Sequence, residues 1–420
     1  MNHRDHCACV VDLGLYTSLA VRLAKDFGKV YYMSEWQEPF AKSKNQMVGK
    51  GLPGVTRIEN IWDVKDEVDL FLFPDIYDGP LQRELVRQGK RVWGSMDGDE
   101  LEILRAESKE HMKALGLNVG PYEVVTGMDA LRKYLQKNED RYVKIPGYYR
   151  GDAESFHSPS YDYIEPVLNE LECTLGPFSK LMPFIVEESL PEAVEVGYDG
   201  YCVDGQYPKL AMVGIEVKDA SYVLRVMPYT ETPQQLQDVN DALADTFKKY
   251  KYHNWFSSEV RITEDGDAYP LDLTCRQPSP PGELEQLMWK NLADIVWFGA
   301  EGKCIDPEPA GEWGAEIILK AKYMWTEENW MAVEIPKGCE DNVTLRSDCV
   351  IDGVRYIIPT SAGAPEFGSI VAVGDTMQEA IDLCKEIAEK IDGCYIDKNP
   401  GALDDANAEI EKLSEFGIDL

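Results

Sequence analysis

WFSSEVRITEDGDAYPLDLTCRQPSPPGE, residues Trp255 to Glu283, carries a β-hairpin signal at Asp265-Gly266, with Val260 and Ile262 before the pair and Tyr269, Leu271 and Leu273 after it. Folding about that pair sets position 264 opposite 267 and, counting outward, Glu259 opposite Asp272. Directly opposed residues lie about 5 Å apart and like charges there repel, so the pair calls for a bridging cation. Thr274 and Arg276 follow on the same face by the two-residue strand period. A hard divalent ion, with Arg276 gripping a phosphate, accounts for all four residues. Taken by itself, the stretch fits a merely acidic, solvent-facing hairpin as well.

Working outward, the 420-residue chain has room for two or three domains, and its 44% hydrophobic and 10% aromatic content is that of a globular protein. No run approaches the roughly 20 apolar residues of a membrane span, and the polar start MNHRDH is no signal peptide. Forty-two basic against 75 acidic residues give a formal charge of -33, which repels nucleic acids and anionic membranes. A local cluster of Lys, Arg and metal could still hold a nucleotide. The ten cysteines lack repeated CxxC spacing, so reduced thiols and a cytoplasmic location are expected.

Upstream, the apolar run CACVVDL reads as a strand and residues 17–27 as a helix capped by Thr17 or Ser18. Strands at Val30 to Met33, Val68 to Phe73 and Arg91 to Trp93, with a helix near 80–88, predict a doubly wound parallel sheet over the first 95 or so residues. Ligands collect beyond the carboxyl ends of such strands, which places Asp12, Gly14, Asp75 and Tyr77 at a candidate substrate rim. The first turn has no GxGxxG pattern and so no dinucleotide fingerprint. A helix over 99–115 carries Lys109, and the strand ending in Lys144 precedes a Gly- and Ser-rich loop with Gly147, Arg150 and Gly151. An apolar strand over 181–186 leads into Glu187, Glu188 and Leu190. Late in the chain, Thr376 with Glu379 forms a capping box, and an acidic stretch begins at Asp404.

The helical lysine, the strand-ending lysine before a loop, the acidic pair in FIVEESL and the carboxylate hairpin occur in the order of the ATP-grasp superfamily. Within it the chain resembles phosphoribosylamine-glycine ligases over nearly its whole length. VDLFLFPD with GKRVWGS, ESKEHMKALGL, YVKIPG, LADIVWFGAEGKC and SAGAPEFGSIVAVGDTMQEAIDLCKEIAEKI carry the likeness. The resemblance implies an α/β ATP-grasp fold with an N-terminal doubly wound domain over 1–96, an ATP-grasp domain over 97–310 with a lid near 122–189, and an α+β module over 311–420. It also implies an ATP-dependent carboxylate-amine ligase that forms an amide through an acylphosphate and releases ADP and phosphate.

By this resemblance Lys109 and Lys144 hold the ATP phosphates, with Gly147 and Gly151 in the covering loop. Glu187, Glu188 and Leu190 form the adenine hinge, with Glu195 toward the ribose. Glu259, Asp272 and Thr274 hold Mg²⁺ or Mn²⁺, and Arg276, joined by Arg150, stabilises the transferring group. Each lysine alone reads as a solvated end of its element, and Arg276 as a partner of Glu283 or Asp272. Three departures stand out. Asp272-x-Thr274-x-Arg276 replaces the usual Glu-x-Asn-x-Arg, the covering loop is poor in glycine, and DLGLYTS and FPD replace the turns that hold phosphoribosylamine. The expected substrates are therefore a small carboxylate and an amine other than phosphoribosylamine, such as an amino acid and a nucleotide-like amine. A nucleotide-binding or scaffolding protein without turnover is the alternative, and either a monomer or a homodimer fits.

Overall fold

A computed structural model describes residues 2–34, 45–146, 155–190, 193–217, 220–321, 329–359, 366–393 and 395–420. Gly147, Arg150 and Gly151 lie outside them. The first layer is a five-stranded parallel sheet in the spatial order Val55–Arg57, Lys29–Ser34, Cys7–Asp12, Leu70–Leu72, Arg91–Trp93. Its central strand, CACVVD, is buried along its whole length, as a strand covered on both faces must be. The edge strand Val55–Arg57 went unforeseen because only one of its three residues is apolar.

Contrary to the expectation, no side chain caps helix Thr17–Leu23. Asp12 accepts hydrogen bonds from the backbone N–H groups of Gly14 and Tyr16, while the Thr17 hydroxyl donates to the carbonyl of Leu345 at 2.8 Å. The helical segment that carries Lys109 is also broken, at Leu104, into Glu100–Ile103 and Arg105–Ala114.

A small antiparallel sheet holds Tyr122–Thr126, Pro183–Glu188, Arg141–Lys144 and Ser155–Ser158 in that spatial order, backed by helices Met128–Leu135 and Tyr161–Leu175. The largest sheet has eight strands in the spatial order Ala268–Thr274, His253–Thr263, Ala193–Val203, Leu210–Val217, Ser221–Pro228, Trp313–Lys320, Glu366–Gly374, Val343–Leu345. Ser221–Pro228 pairs directly with Trp313–Lys320, so backbone hydrogen bonding runs unbroken past position 310. Helices Gln234–Tyr250 and Met377–Lys390 cover its main hydrophobic core. Thr376 and Glu379 form the expected capping box. The acidic stretch after Asp404 forms helix Ala406–Glu415, because Ala406 and Leu413 sink into that core.

Candidate nucleotide and metal site

The hairpin His253–Thr263 and Ala268–Thr274 does place Glu259 opposite Asp272, through two compensating departures from simple counting. The turn has three residues rather than two. Thr263 N–H donates to Asp267 O at 3.0 Å, Gly266 N–H donates to Thr263 O at 2.9 Å, and Gly266 sits at φ +82°. This slides the register by one, so Ile262 faces Ala268 and Val260 faces Pro270. An extra residue at Leu271 then bulges out and restores the count at Asp272. Without that bulge Asp272 would turn to the opposite face of the sheet.

Thr274 pairs with Ser257, one step along the same face. The row that begins with Asp272 and Glu259 continues across the sheet through Gly197 and Gly214, which leaves a flat floor beside the carboxylates. A Cβ on Gly214 would meet the Tyr222 ring at 2.4 Å.

Over this floor lies a cleft formed by two adjoining cavities of about 610 Å³ each, sharing Lys109, Lys144, Glu195, Glu216, Glu259 and Asp272. Five charged groups alternate in sign along it. Arg105 Nε lies 3.8 Å from Asp272 Oδ1, Lys144 Nζ 2.9 Å from Asp272 Oδ2 and 3.6 Å from Glu187, and Lys109 Nζ 2.9 Å from Glu187. Within this network three cations face two carboxylates, while Glu195, Glu216 and Glu259 also line the cleft, so its charge suits a polyanion that arrives with a metal cation.

Burial alone would raise the Asp272 carboxyl, but Lys144 and Arg105 outweigh it and pull it down to about 2. Burial likewise works against the charge on Lys144, yet Asp272 and Glu187 more than offset it and raise its pKa. Both groups therefore stay ionised at neutral pH.

The hinge residues separate by strand alternation. Glu187 turns inward to the two lysines, whereas Glu188 pairs with Arg141 at 3.2 Å on the other face. The Leu190 carbonyl accepts from Arg261 at 3.3 Å, and Arg261 also lies 3.6 Å from the exposed Glu195. Arg276 does not pair with Asp272 or Glu283. Its Nε donates to Glu102 at 2.9 Å, while the other oxygen of Glu102 accepts from Cys275 N–H at 2.8 Å. Glu283 instead takes Arg346, at 2.9 Å.

The four rim residues fall outside the lining of both cavities. Asp12 is buried and accepts from Gly14, Tyr16 and Tyr32. Burial pushes it up to about 6, against those three hydrogen bonds. Gly14, at φ +103°, lies under Ser347, whose N–H donates to its carbonyl at 2.6 Å. Asp75 accepts from Ile76 N–H at 2.9 Å, and Tyr77 is nearly half exposed with φ +85°. The late strand 343–345 and the residues after it thus cover the first turn.

Arg105 and Glu102 escaped the sequence reading. Arg105 stands four residues before Lys109, a spacing that puts both on one helix face and could have flagged it. Glu102 lies beyond the break at Leu104 and carries no such signal.

The fold can be placed among known structures. No protein-family model matches the sequence, and no curated protein matches it. Among solved structures, phosphoribosylamine-glycine ligase from Thermotoga maritima superposes with a TM-score of 0.70 at 17% identity, covering 93% of this chain and 98% of that one. The chain has the ATP-grasp fold.

Two further ATP-grasp structures align over most of their length. One is the biotin carboxylase domain of Hydrogenobacter thermophilus 2-oxoglutarate carboxylase in complex with MgADP, ADP and bicarbonate, with TM-score 0.65, 11% identity and coverage of 96% and 94%. The other is N5-carboxyaminoimidazole synthetase from Staphylococcus aureus complexed with ADP, with TM-score 0.60, 12% identity and coverage of 91% and 96%. At such identities the likeness is one of fold. No helix among the described residues is long and apolar enough to cross a membrane.

Glu259, Asp272 and Thr274 offer hard oxygen donors on one face, but no group of three or more His, Cys, Asp or Glu side chains among the described residues could hold a metal ion unaided. Two carboxylates and a hydroxyl are donors of the kind Mg²⁺ takes, and the rest of its shell would have to come from phosphate and water oxygens.

Proposed function

We propose that the protein is an ATP-dependent carboxylate-amine ligase. The observation that carries this reading is the alternating network of Arg105, Asp272, Lys144, Glu187 and Lys109, in which Asp272 is also paired with Glu259 as a hard-oxygen donor, inside one cleft. A nucleoside triphosphate with its metal matches that charge pattern, and the MgADP and ADP named for the neighbours are in keeping with it.

Lys109 and Lys144 would hold the phosphates as compact point charges, with backbone groups around Glu188 and Leu190 facing the base. Glu259, Asp272 and Thr274 would hold Mg²⁺, which supplies charge neutralisation and orientation at the phosphates. Arg276, fixed at Nε by Glu102, would present the rest of its guanidinium to the developing charge. In the first half-reaction a substrate carboxylate oxygen bonds to the γ-phosphorus and the bond to the β,γ-bridging oxygen breaks, releasing ADP. In the second an amine nitrogen bonds to the acyl carbon, phosphate leaves, and the nitrogen loses a proton. The covering of Gly14 and the engagement of Asp12 by backbone support an amine other than phosphoribosylamine.

The experiment is ADP release from Mg-ATP with a panel of carboxylic acids and amines, with hydroxylamine added to trap acylphosphate as hydroxamate. Acid-dependent hydroxamate is the expected result. If Mg-ATP binds but no panel member stimulates ADP formation, the protein is instead a nucleotide-binding module built on this fold.

A further inference from the structure

The hinge-side cavity has a wall that comes from far along the chain. Glu409, Lys412 and Leu413, on helix Ala406–Glu415, line it together with Glu188, Leu190 and Pro121. Positions 409, 412 and 413 are spaced i, i+3 and i+4, so one helix face presents all three. The helix is built into the main core. Ala406 and Leu413 are buried with Val213 and Ile215 of the large sheet, and Ile418 buries behind them. Its lead-in is pinned as well. Ser221 Oγ donates to Ala402 O at 3.0 Å, and Lys320 and Asp397 exchange backbone hydrogen bonds at 2.9 and 2.8 Å.

Arg105, Thr274 and Arg276, which suit phosphates and metal, line only the other cavity, and Lys144 and Asp272 sit where the two cavities meet. A nucleotide whose phosphates lie there has its base at the hinge end, against Leu413. We infer that helix Ala406–Glu415 is the outer wall of the base pocket, with Leu413 packing on the base and Glu409 and Lys412 at its mouth, so that this late segment sets base affinity. The inference rests on the nucleotide reading of the cleft.

A ligand with a base and a ligand without one separate the two ideas. Mg-ADP and inorganic tripolyphosphate are titrated into the wild-type protein and into Leu413→Ala, whose folding is checked by circular dichroism. The variant should lose about tenfold in Mg-ADP affinity, as expected for an apolar contact of one side chain, and stay within about twofold for tripolyphosphate.

Hydrogen exchange on the wild-type protein needs no variant to fold. Amides of residues 406–415 should slow with saturating Mg-ADP and not with saturating tripolyphosphate. Equal protection by both ligands, or by neither, overturns the inference while leaving the nucleotide site standing. A wild-type protein that binds neither ligand overturns the reading of the cleft, and the inference with it.

Discussion

Asp272 concentrates the electrostatics of the cleft, with Lys144 at 2.9 Å, Arg105 at 3.8 Å and Glu259 opposite it on the hairpin. Asp272→Asn keeps the shape and removes the charge. It should leave the circular dichroism spectrum unchanged and abolish Mg-dependent ADP formation; undiminished turnover would defeat the metal assignment. Asp199 makes the opposite kind of prediction. It is 1% exposed, and burial pushes it up to about 6 from an ordinary 3.8 although Tyr222 and Ser257 donate to it. Its folded pKa is raised, so between about pH 4 and 6 the unfolded chain gives up a proton that the folded state keeps. The stability this group contributes is present below that window and declines as pH rises through it, by roughly 3 kcal/mol at most. Asp199→Asn, which mimics the protonated acid, should match wild type near pH 4 and gain on it by pH 7, read by denaturant unfolding across that range.

The hairpin shows how an element can meet expectation by an unexpected route. Strand alternation and the Asp265-Gly266 pair were legible, but the three-residue turn and the bulge at Leu271 were not, since each depends on how the strands settle against Ala193–Val203. Gly266 occupies the left-handed position, and a Cβ added there would meet nothing within 4 Å, so only its backbone opposes a side chain. Gly266→Ala should cost about 1 kcal/mol in urea unfolding, and Gly266→Asn less. The helix of Lys109 was legible from its pattern. Its break at Leu104, which frees Glu102 to reach Arg276 and Cys275, was not.

The molecule is tied together by contacts between residues from about 60 to more than 300 positions apart. Thr17 meets Leu345, Gly14 meets Ser347, and Arg346 binds Glu283 at 2.9 Å with side-chain exposures of 11% and 4%. Removing one partner of such a pair strands a charge in the interior. Arg346→Met should destabilise the protein by about 3 kcal/mol or more, and adding Glu283→Leu should restore part of the loss in the same unfolding assay. Two chain-wide sequence features also took on meaning only at this scale. The net charge of -33 disfavours a broad anion-binding face but leaves room for the local cluster of Arg105, Lys109 and Lys144, and the acidic stretch after Asp404 became a buried-edge helix on the cleft wall.

From sequence alone came the alternating α/β order, the parallel first sheet and the hairpin about Asp265-Gly266, because periodicity and turn chemistry are local properties of the chain, whereas the facing of Glu259 and Asp272 also needed the bulge at Leu271. The partners of those residues were decided by tertiary structure. Whether Arg276 turns to Asp272, Glu283 or Glu102, whether Asp12 faces a ligand or bonds the backbone of the turn that follows it, and which late segment closes the hinge-side cavity all depend on what distant strands bring alongside. Charge pairing and burial are set by distance in space, and a linear pattern carries no record of it.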